Sequence, residues 1–213
     1  MTGRIAGLIL AGGQSRRMDG RDKAMLTLGS QRLIDRVAAR IAPQVDHLVL
    51  NANGDTSRFG DLELPIISDA VEGFAGPLAG ILAGLTWARQ QAGGNITHVV
   101  SVAADTPFFP TDLVERFLQA VEGGVPDSIA IARTGGRLHP VFGLWPVHLA
   151  DQLEQFLREE ETRKVLAFVD RFTLVETSFD DGAAPGSLDP FFNINKVEDL
   201  EVAENYIRNA DHA

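Results

Sequence analysis

The sequence contains no cysteine. Disulfide scaffolds, thiolate nucleophiles, iron–sulfur clusters and cysteine-type zinc sites are therefore excluded. Any metal must be held by oxygen or imidazole nitrogen, which favours Mg²⁺, or Mn²⁺, on carboxylates. Basic residues are in short supply: 19 Lys and Arg stand against 29 Asp and Glu, a net charge of −10. A chain this acidic repels nucleic acid and anionic membrane, so neither is expected as a partner. An anionic small molecule stays open, because a few cations and backbone amides can reverse the field locally. Long hydrophobic runs are also missing. Residues 5–11 (IAGLILA) follow Arg4 and lie at the short limit for a signal peptide, with Arg16 and Arg17 soon after. Residues 73–88 are uncharged and space Gly76, Gly80 and Gly84 like a transmembrane dimerisation face, but they contain Pro77 and are short for a bilayer. They read instead as a buried helix whose small face lies against a sheet. A soluble, cytoplasmic protein is the expectation. No internal repeat or low-complexity linker breaks the 213 residues, which fit one domain.

What is present is an alternation of strand and helix signals. Residues 5–10 form a short apolar run ended by Gly12-Gly13, and read as a buried strand. Leu33, Val37 and Ile41, with Ile34 and Ala38 beside them, make an amphipathic helix stopped near Pro43. Further strands are read at 47–50, 64–67 and 99–103, and helices at 77–91 and 113–121, the latter with Thr111 as cap. Residues 128–133 and 138–145 flank Gly135-Gly136, the signature of a hairpin with a primed turn. Helices around 149–157 and 165–169, a strand at 173–177, a loop at 180–189 and a helix at 196–207 complete the chain. The fold class is α/β: one domain, a three-layer α/β/α sandwich whose mainly parallel sheet takes in an antiparallel hairpin. Ligands of such sheets bind at the carboxyl ends of the strands. The places to look are just after Leu10, Leu50, Ile67 and Ala103.

Each of these places carries polar groups. After the first strand come Leu10, Ala11, Gly12 and Gly13, then Arg16, Arg17 and Lys23. Glycines let the backbone present N–H groups to phosphates, and the cations supply charge. The loop is neither a Walker A motif nor a dinucleotide fingerprint. By composition alone it is equally a solvated turn. Asn51 follows the second strand, at a position that reaches a ligand or makes a turn. Asp69 follows the third, before the small residues from Gly73 to Gly80. Its carboxylate can accept paired donors from a purine edge, or simply serve a turn. Asp105 ends the fourth strand, stiffened by Pro107, and suits Mg²⁺ held partly on phosphate oxygens. Together the four strand ends point to a nucleoside triphosphate site. Near the C-terminus, Asn193 and Asn195 flank Ile194, and Asn195 with Glu198 also makes a capping-box pattern. His139, in Arg137-Leu138-His139-Pro140, is assigned no role as a base.

The segment LAGGQSRRMDGRDK (residues 10–23) resembles the opening of the molybdenum cofactor guanylyltransferases, within the Rossmann-like nucleotidyltransferases. The resemblance continues through PQVDHLVLNAN (43–53), Ser68-Asp69, GPLAG (76–80), ADTP (104–107), HPV (139–141) and FFNINKVEDL (191–200). It implies that GMP passes from GTP to the terminal phosphate of molybdopterin, giving the guanine dinucleotide cofactor and pyrophosphate. It implies a nucleotide-binding half at 1–120 and a pterin or acceptor half at 121–213. Leu10, Ala11, Gly12, Gly13, Asn51, Asp69 and Gly76 are implied to contact GTP, and Lys23 its phosphates. Arg17 is implied to help hold the departing pyrophosphate, Asp105 to bind nucleotide and Mg²⁺, and Asn193 and Asn195 to lie near the metal or second substrate. Arg17, Lys23 and Asp105 form the implied catalytic set. Asp19 departs from the glycine common after R-M in the family. The implied partners are GTP and molybdopterin, with transient contacts to molybdenum-insertion proteins and molybdoenzyme chaperones. Cytidylyl transfer to the same pterin, sugar-phosphate nucleotidyl transfer and a non-catalytic nucleotide-binding role are the rival readings.

Overall fold

A computed structural model describes residues 3–12, 23–69, 76–91, 95–159, 162–180 and 187–210. The first strand, β1 (Arg4–Leu10), is apolar on both sides, as a strand covered by helices on both faces must be. Two residue pairs then form a minimal hairpin, β2 (Thr27–Leu28) and β3 (Gln31–Arg32). Helix α1 (Leu33–Ile41) follows at once and gives way to a 3-10 turn containing Pro43. Next come β4 (His47–Asn51), β5 (Ile66–Ile67), α2 (Pro77–Gln90), β6 (Ile96–Ala103) and α3 (Leu113–Val121). The hairpin β7 (Ser128–Thr134) and β8 (Arg137–Pro146) leads to α4 (Ala150–Glu159) and α5 (Val165–Val169). The chain closes with β9 (Thr173–Ser178) and α6 (Val197–Ala210).

Seven strands form one sheet in the order β5-β4-β1-β6-β8-β7-β9. Every neighbouring pair is parallel except those made by β8, which runs antiparallel to both β6 and β7. The hairpin is thus not appended at an edge: its second strand is inserted in mid-sheet. Its turn has positive φ at both Gly135 (54°) and Gly136 (76°), as a primed two-residue turn demands.

Alternation along each strand divides the core. Ile5 and Ile9 face a layer with Ile34, Val37 and Ile41 of α1 and Leu113 and Phe117 of α3. Ala6 and Leu8 face the opposite layer, with Ile81 and Leu85 of α2, Leu153 and Phe156 of α4 and Phe168 of α5. Each large apolar side chain buried this way contributes roughly 1.5–3 kcal/mol. A small third cluster holds α6 to the β2–β3 hairpin through Leu28, Leu33, Ile194 and Ala203. The result is the one-domain, three-layer sandwich that the alternation predicts. Among the described residues, no helix is long and apolar enough to cross a membrane.

The small face of α2 lies where its glycines put it. A Cβ at Gly84 would stand 2.6 Å from Leu8 Cδ2, and one at Gly80 would stand 2.4 Å from Asn51 Oδ1. The helix therefore packs its backbone directly on β1 and β4.

Three local readings are corrected. The strand read at 64–67 pairs only at Ile66–Ile67. Thr111 does not cap α3; the side chain of Gln44, from the turn after α1, accepts the Val114 N–H at 3.1 Å. The carboxylate that caps α6 is that of Asp199 rather than Glu198, and it accepts the N–H groups of Asn195 (2.8 Å) and Lys196 (3.0 Å); with lysine as N-cap the reciprocal half of a capping box is not made. The helix starts one residue later than the pattern implied, so the N3 position falls on Asp199, and Asn195 is released for another contact.

Candidate active site

The carboxyl ends of β1, β4, β5 and β6 meet along one edge of the sheet, and the residues beyond them interlock. Ala11 donates its N–H to the Asn51 carbonyl (2.9 Å), and Ala104 donates to the Leu10 carbonyl (3.1 Å). The segment 10–12 is thereby threaded between the ends of β4 and β6. A Cβ on Gly12 would stand 3.7 Å from Asn51 Oδ1 and 3.8 Å from Asn53 Nδ2, so this backbone passes beside both amides.

On one side lies an amide–carboxylate cluster. Asn51, the buried last residue of β4, donates from Nδ2 to Asp69 Oδ1 (3.0 Å) and to the Ile67 carbonyl (3.3 Å). Asn53 pairs with Asp69 in both directions. Its Nδ2 donates to Oδ2 at 2.6 Å, and its Oδ1 accepts the Asp69 N–H at 2.9 Å. The carboxylate is held by two amides yet keeps lone pairs for a ligand's donors. Gly76 precedes α2 with φ +125°, a conformation that favours glycine.

On the other side lies a charged cluster. Lys23 donates from Nζ to Asn195 Oδ1 at 2.6 Å and stands 3.9 Å from Asp105 Oδ2. Asp105 is the second residue after β6. Its carboxylate accepts hydrogen bonds from the side chains of Thr106 and Asn193, and its carbonyl accepts the Ile194 N–H at 2.9 Å. Burial raises the Asp105 pKa above the ordinary carboxylate value, and Lys23 and these hydrogen bonds only partly offset the shift. The group is thus an ionisable oxygen ligand in a half-dry place, short of positive charge.

The structure brings Lys23, Asp105, Asn193 and Asn195 together, and separately Asn51 with Asp69. Leu10, Ala11 and Gly12 lie between the two groups. Gly13 and Arg17 lie outside the described residues. Asn53 is the residue that sequence reasoning passed over; its signal was the second asparagine of Asn51-Ala52-Asn53, one alternation beyond the strand end. His139 is not isolated either: it stacks on Phe191 and contacts Thr134. A groove of about 600 Å³ opens elsewhere, lined by Ile5, Gln44, His98 and residues of α3, at the start of β1 and β6 and away from these clusters.

Residues 7–174 match the family described as MobA-like NTP transferase domain. A Mesorhizobium japonicum protein named molybdenum cofactor guanylyltransferase is 50% identical over 204 residues, covering 96% of each chain. A Bradyrhizobium protein of the same name is 46% identical, over 94% of this chain and 92% of its own. Among solved structures, molybdopterin-guanine dinucleotide biosynthesis protein A from Archaeoglobus fulgidus superposes with a TM-score of 0.74 at 26% identity, covering 96% of this chain and 99% of its own. A Mycobacterium tuberculosis protein solved in complex with manganese shares the fold, with a TM-score of 0.65 at 17% identity over 96% of this chain and all of its own. With its strand-end clusters in place and relatives matched along nearly its whole length, the chain belongs to the MobA-like NTP transferase family.

Proposed function

We propose that the protein transfers GMP from GTP to the terminal phosphate of molybdopterin, forming the guanine dinucleotide cofactor and releasing pyrophosphate. The observation that carries this reading is the meeting of Lys23, Asp105 and Asn195 at the strand ends. It occurs in a chain whose near relatives are named for guanylyl transfer to this cofactor.

The backbone of Leu10 to Gly13, with Gly76, follows the nucleotide closely, and Asn51 and Asp69 contact the nucleoside. Lys23 offsets phosphate charge, and Arg17 helps hold the leaving pyrophosphate. Residues 121–213 carry the acceptor side, where Asn193 and Asn195 border the transferring group. A phosphate oxygen of the pterin attacks the α-phosphorus of GTP in line. The new P–O bond forms as the bond to the β-phosphate oxygen breaks, and pyrophosphate carries off the electron pair. The attacking phosphate is already ionised near neutral pH, so no side chain need act as base. The protein's contribution is positioning and charge neutralisation.

Asp105 fits a divalent cation by its own chemistry: an oxygen donor, partly desolvated, whose nearest ammonium is 3.9 Å away. Among the described residues no three His, Cys, Asp or Glu group to cage a metal. A single carboxylate suits Mg²⁺, which takes its other ligands from phosphates and water. Mg²⁺ bound there supplies charge neutralisation on the phosphate oxygens, and Mn²⁺ suits the same donors. The setting of the reaction is the cytoplasm, with molybdenum-insertion proteins and molybdoenzyme chaperones as transient protein partners.

Melting the protein with Mg²⁺ and each nucleoside triphosphate tests the nucleotide choice. A ligand at a hundredfold its dissociation constant stabilises by about 2.7 kcal/mol. GTP is expected to raise the midpoint, with CTP, ATP and UTP near the unliganded value. Protection by CTP and not by GTP would overturn the guanylyl assignment.

A further inference from the structure

The β7–β8 hairpin carries a polar cluster that the nucleotide chemistry leaves unused. Thr134 Oγ1 lies 2.6 Å from His139 Nε2 and 3.2 Å from Asp189 Oδ1. A hydroxyl has one proton to give. With that proton given to Asp189, the Thr134 oxygen can only accept from His139, which therefore presents Nε2–H to it. The chain of donors therefore runs from His139 through Thr134 to Asp189.

The same Asp189 fastens the loop in which it lies. Its Oδ1 accepts the Phe191 N–H at 2.8 Å, and its carbonyl accepts the Phe192 N–H at 2.9 Å. The His139 ring stacks on Phe191 (centroids 4.6 Å, planes 24° apart), and Phe191 is gripped edge-on by Phe142 (4.8 Å) and Phe179 (5.4 Å). Two residues further on, Asn193 bonds the Asp105 carboxylate, Ile194 donates to the Asp105 carbonyl and Asn195 accepts from Lys23. One short segment is thus tied at its start to the hairpin and at its end to the charged cluster.

The place of His139 on the hairpin is set by the tight turn: Thr134 pairs with Arg137 and Arg133 with Leu138, in regular register up to His139. Ile131 pairs with Gly143, yet the next residue, Ala132, pairs with His139. A ladder continued from the turn would put Ile131 opposite Pro140. Residues 140–142 bulge out instead, at a proline, and the Val141 carbonyl is taken up by Ser101 Oγ at 2.6 Å. Trp145 Nε1 in turn donates to Ser101 Oγ at 2.8 Å. The bulge begins just after His139, which the turn places beside Thr134 and Phe191.

We infer that His139, Thr134 and Asp189 are positioning residues: a polar latch that holds segment 189–195 so that Asn193 meets Asp105 and Asn195 meets Lys23. The inference rests on the assignment of Asp105 and Lys23 to metal and phosphate.

Thr134→Val removes both hydrogen bonds while keeping the shape, and Thr134→Ser restores the hydroxyl. His139→Ala and His139→Gln repeat the comparison from the other side, Gln keeping an N–H donor. For each variant, Mn²⁺ affinity of the GTP-loaded protein is measured by electron paramagnetic resonance, alongside kcat, the KM values and the melting midpoint. Thr134→Val and His139→Ala are expected to lose roughly 10- to 100-fold in kcat and in Mn²⁺ affinity, as removal of a supporting hydrogen-bond partner typically does. KM for GTP should be unchanged, with the Ser and Gln variants recovering most of the loss. Variants that melt earlier but keep wild-type kcat and Mn²⁺ affinity well below their midpoint would overturn the latch. Wild-type protein that releases no pyrophosphate would contradict the proposed function alone, and the Mn²⁺ affinities would still decide the latch. If Thr134→Val does not fold, the His139 pair carries the same comparison.

Discussion

Lys23 and Asn195 are 172 residues apart in the chain, yet the lysine ammonium donates to the asparagine carbonyl at 2.6 Å. Asn195 is neutral, so the contact orients the lysine without cancelling its charge. The same ammonium stands 3.9 Å from Asp105 and remains available to an anionic ligand. Lys23, ahead of the β2–β3 hairpin, and the segment before the last helix thus close on one point.

Lys23→Ala should weaken GTP binding while leaving the fold intact. A hydrogen bond to a charged group is worth about 1.5–3 kcal/mol, or roughly 10- to 100-fold in affinity. The partly exposed pair with Asp105 adds at most about 1 kcal/mol to stability. Isothermal calorimetry and a thermal melt on the same samples separate the two. Unchanged GTP affinity would remove Lys23 from the site.

Asp105→Asn should abolish most turnover and at the same time stabilise the ligand-free protein near neutral pH. The folded chain raises this carboxyl's pKa by burial. The folded state therefore holds the proton more tightly than the unfolded one. Stability is lost as pH rises from the unfolded pKa through the folded one, and the loss persists above both. Asparagine removes that penalty. A midpoint higher by roughly 1–4 °C at pH 7.5 is expected, with no gain below the ordinary carboxylate range. A variant equally impaired in stability and turnover would make Asp105 structural.

Gly80→Ala and Gly84→Ala should part company. The added methyl at Gly80 meets the Asn51 amide at 2.4 Å, and Asn51 holds Asp69. At Gly84 it meets the end of the Leu8 side chain at 2.6 Å. Each should cost roughly 1–3 kcal/mol of stability by overpacking. Only Gly80→Ala should also lower GTP affinity, which titration of the folded variants would reveal.

Asp35 gives a pH signature unrelated to the site. Its carboxylate accepts from the Arg32 side chain at 2.7 Å and 2.8 Å and from the Arg32 N–H at 3.2 Å, at the start of α1. These bonds, the arginine side chain first, lower its pKa from the ordinary 3.8. Its stabilisation is full above the unfolded pKa and is lost as pH falls through the folded one. Asp35→Asn should therefore cost about 1 kcal/mol at pH 7. Denaturant titrations of the two proteins should converge under strongly acidic conditions.

Much of this architecture could be read from period alone. The runs at β1, β4 and β6 are too short and too apolar for surface helices, and α1 shows its buried stripe at Leu33, Val37 and Ile41. The strand-end rule then located Asp69, Asp105 and Asn51. Three features lay outside local pattern. The insertion of β8 between β6 and β7 is a long-range pairing that no single segment encodes. The β2–β3 hairpin has two residues per strand, too few to show a period. The partners of Asn195 and His139 depend on which loops the sheet brings together, and nothing in the local sequence of His139 points to Phe191, 52 residues further on.

The central claim is the transfer itself, and the most direct measurement is product analysis. Purified protein is incubated with GTP, Mg²⁺ and molybdopterin, and both pyrophosphate and pterin products are followed by mass. One pyrophosphate released per molybdopterin guanine dinucleotide formed, with none when CTP replaces GTP, is the expected result. GTP bound but no pyrophosphate released, or a dinucleotide formed only from CTP, would contradict the account.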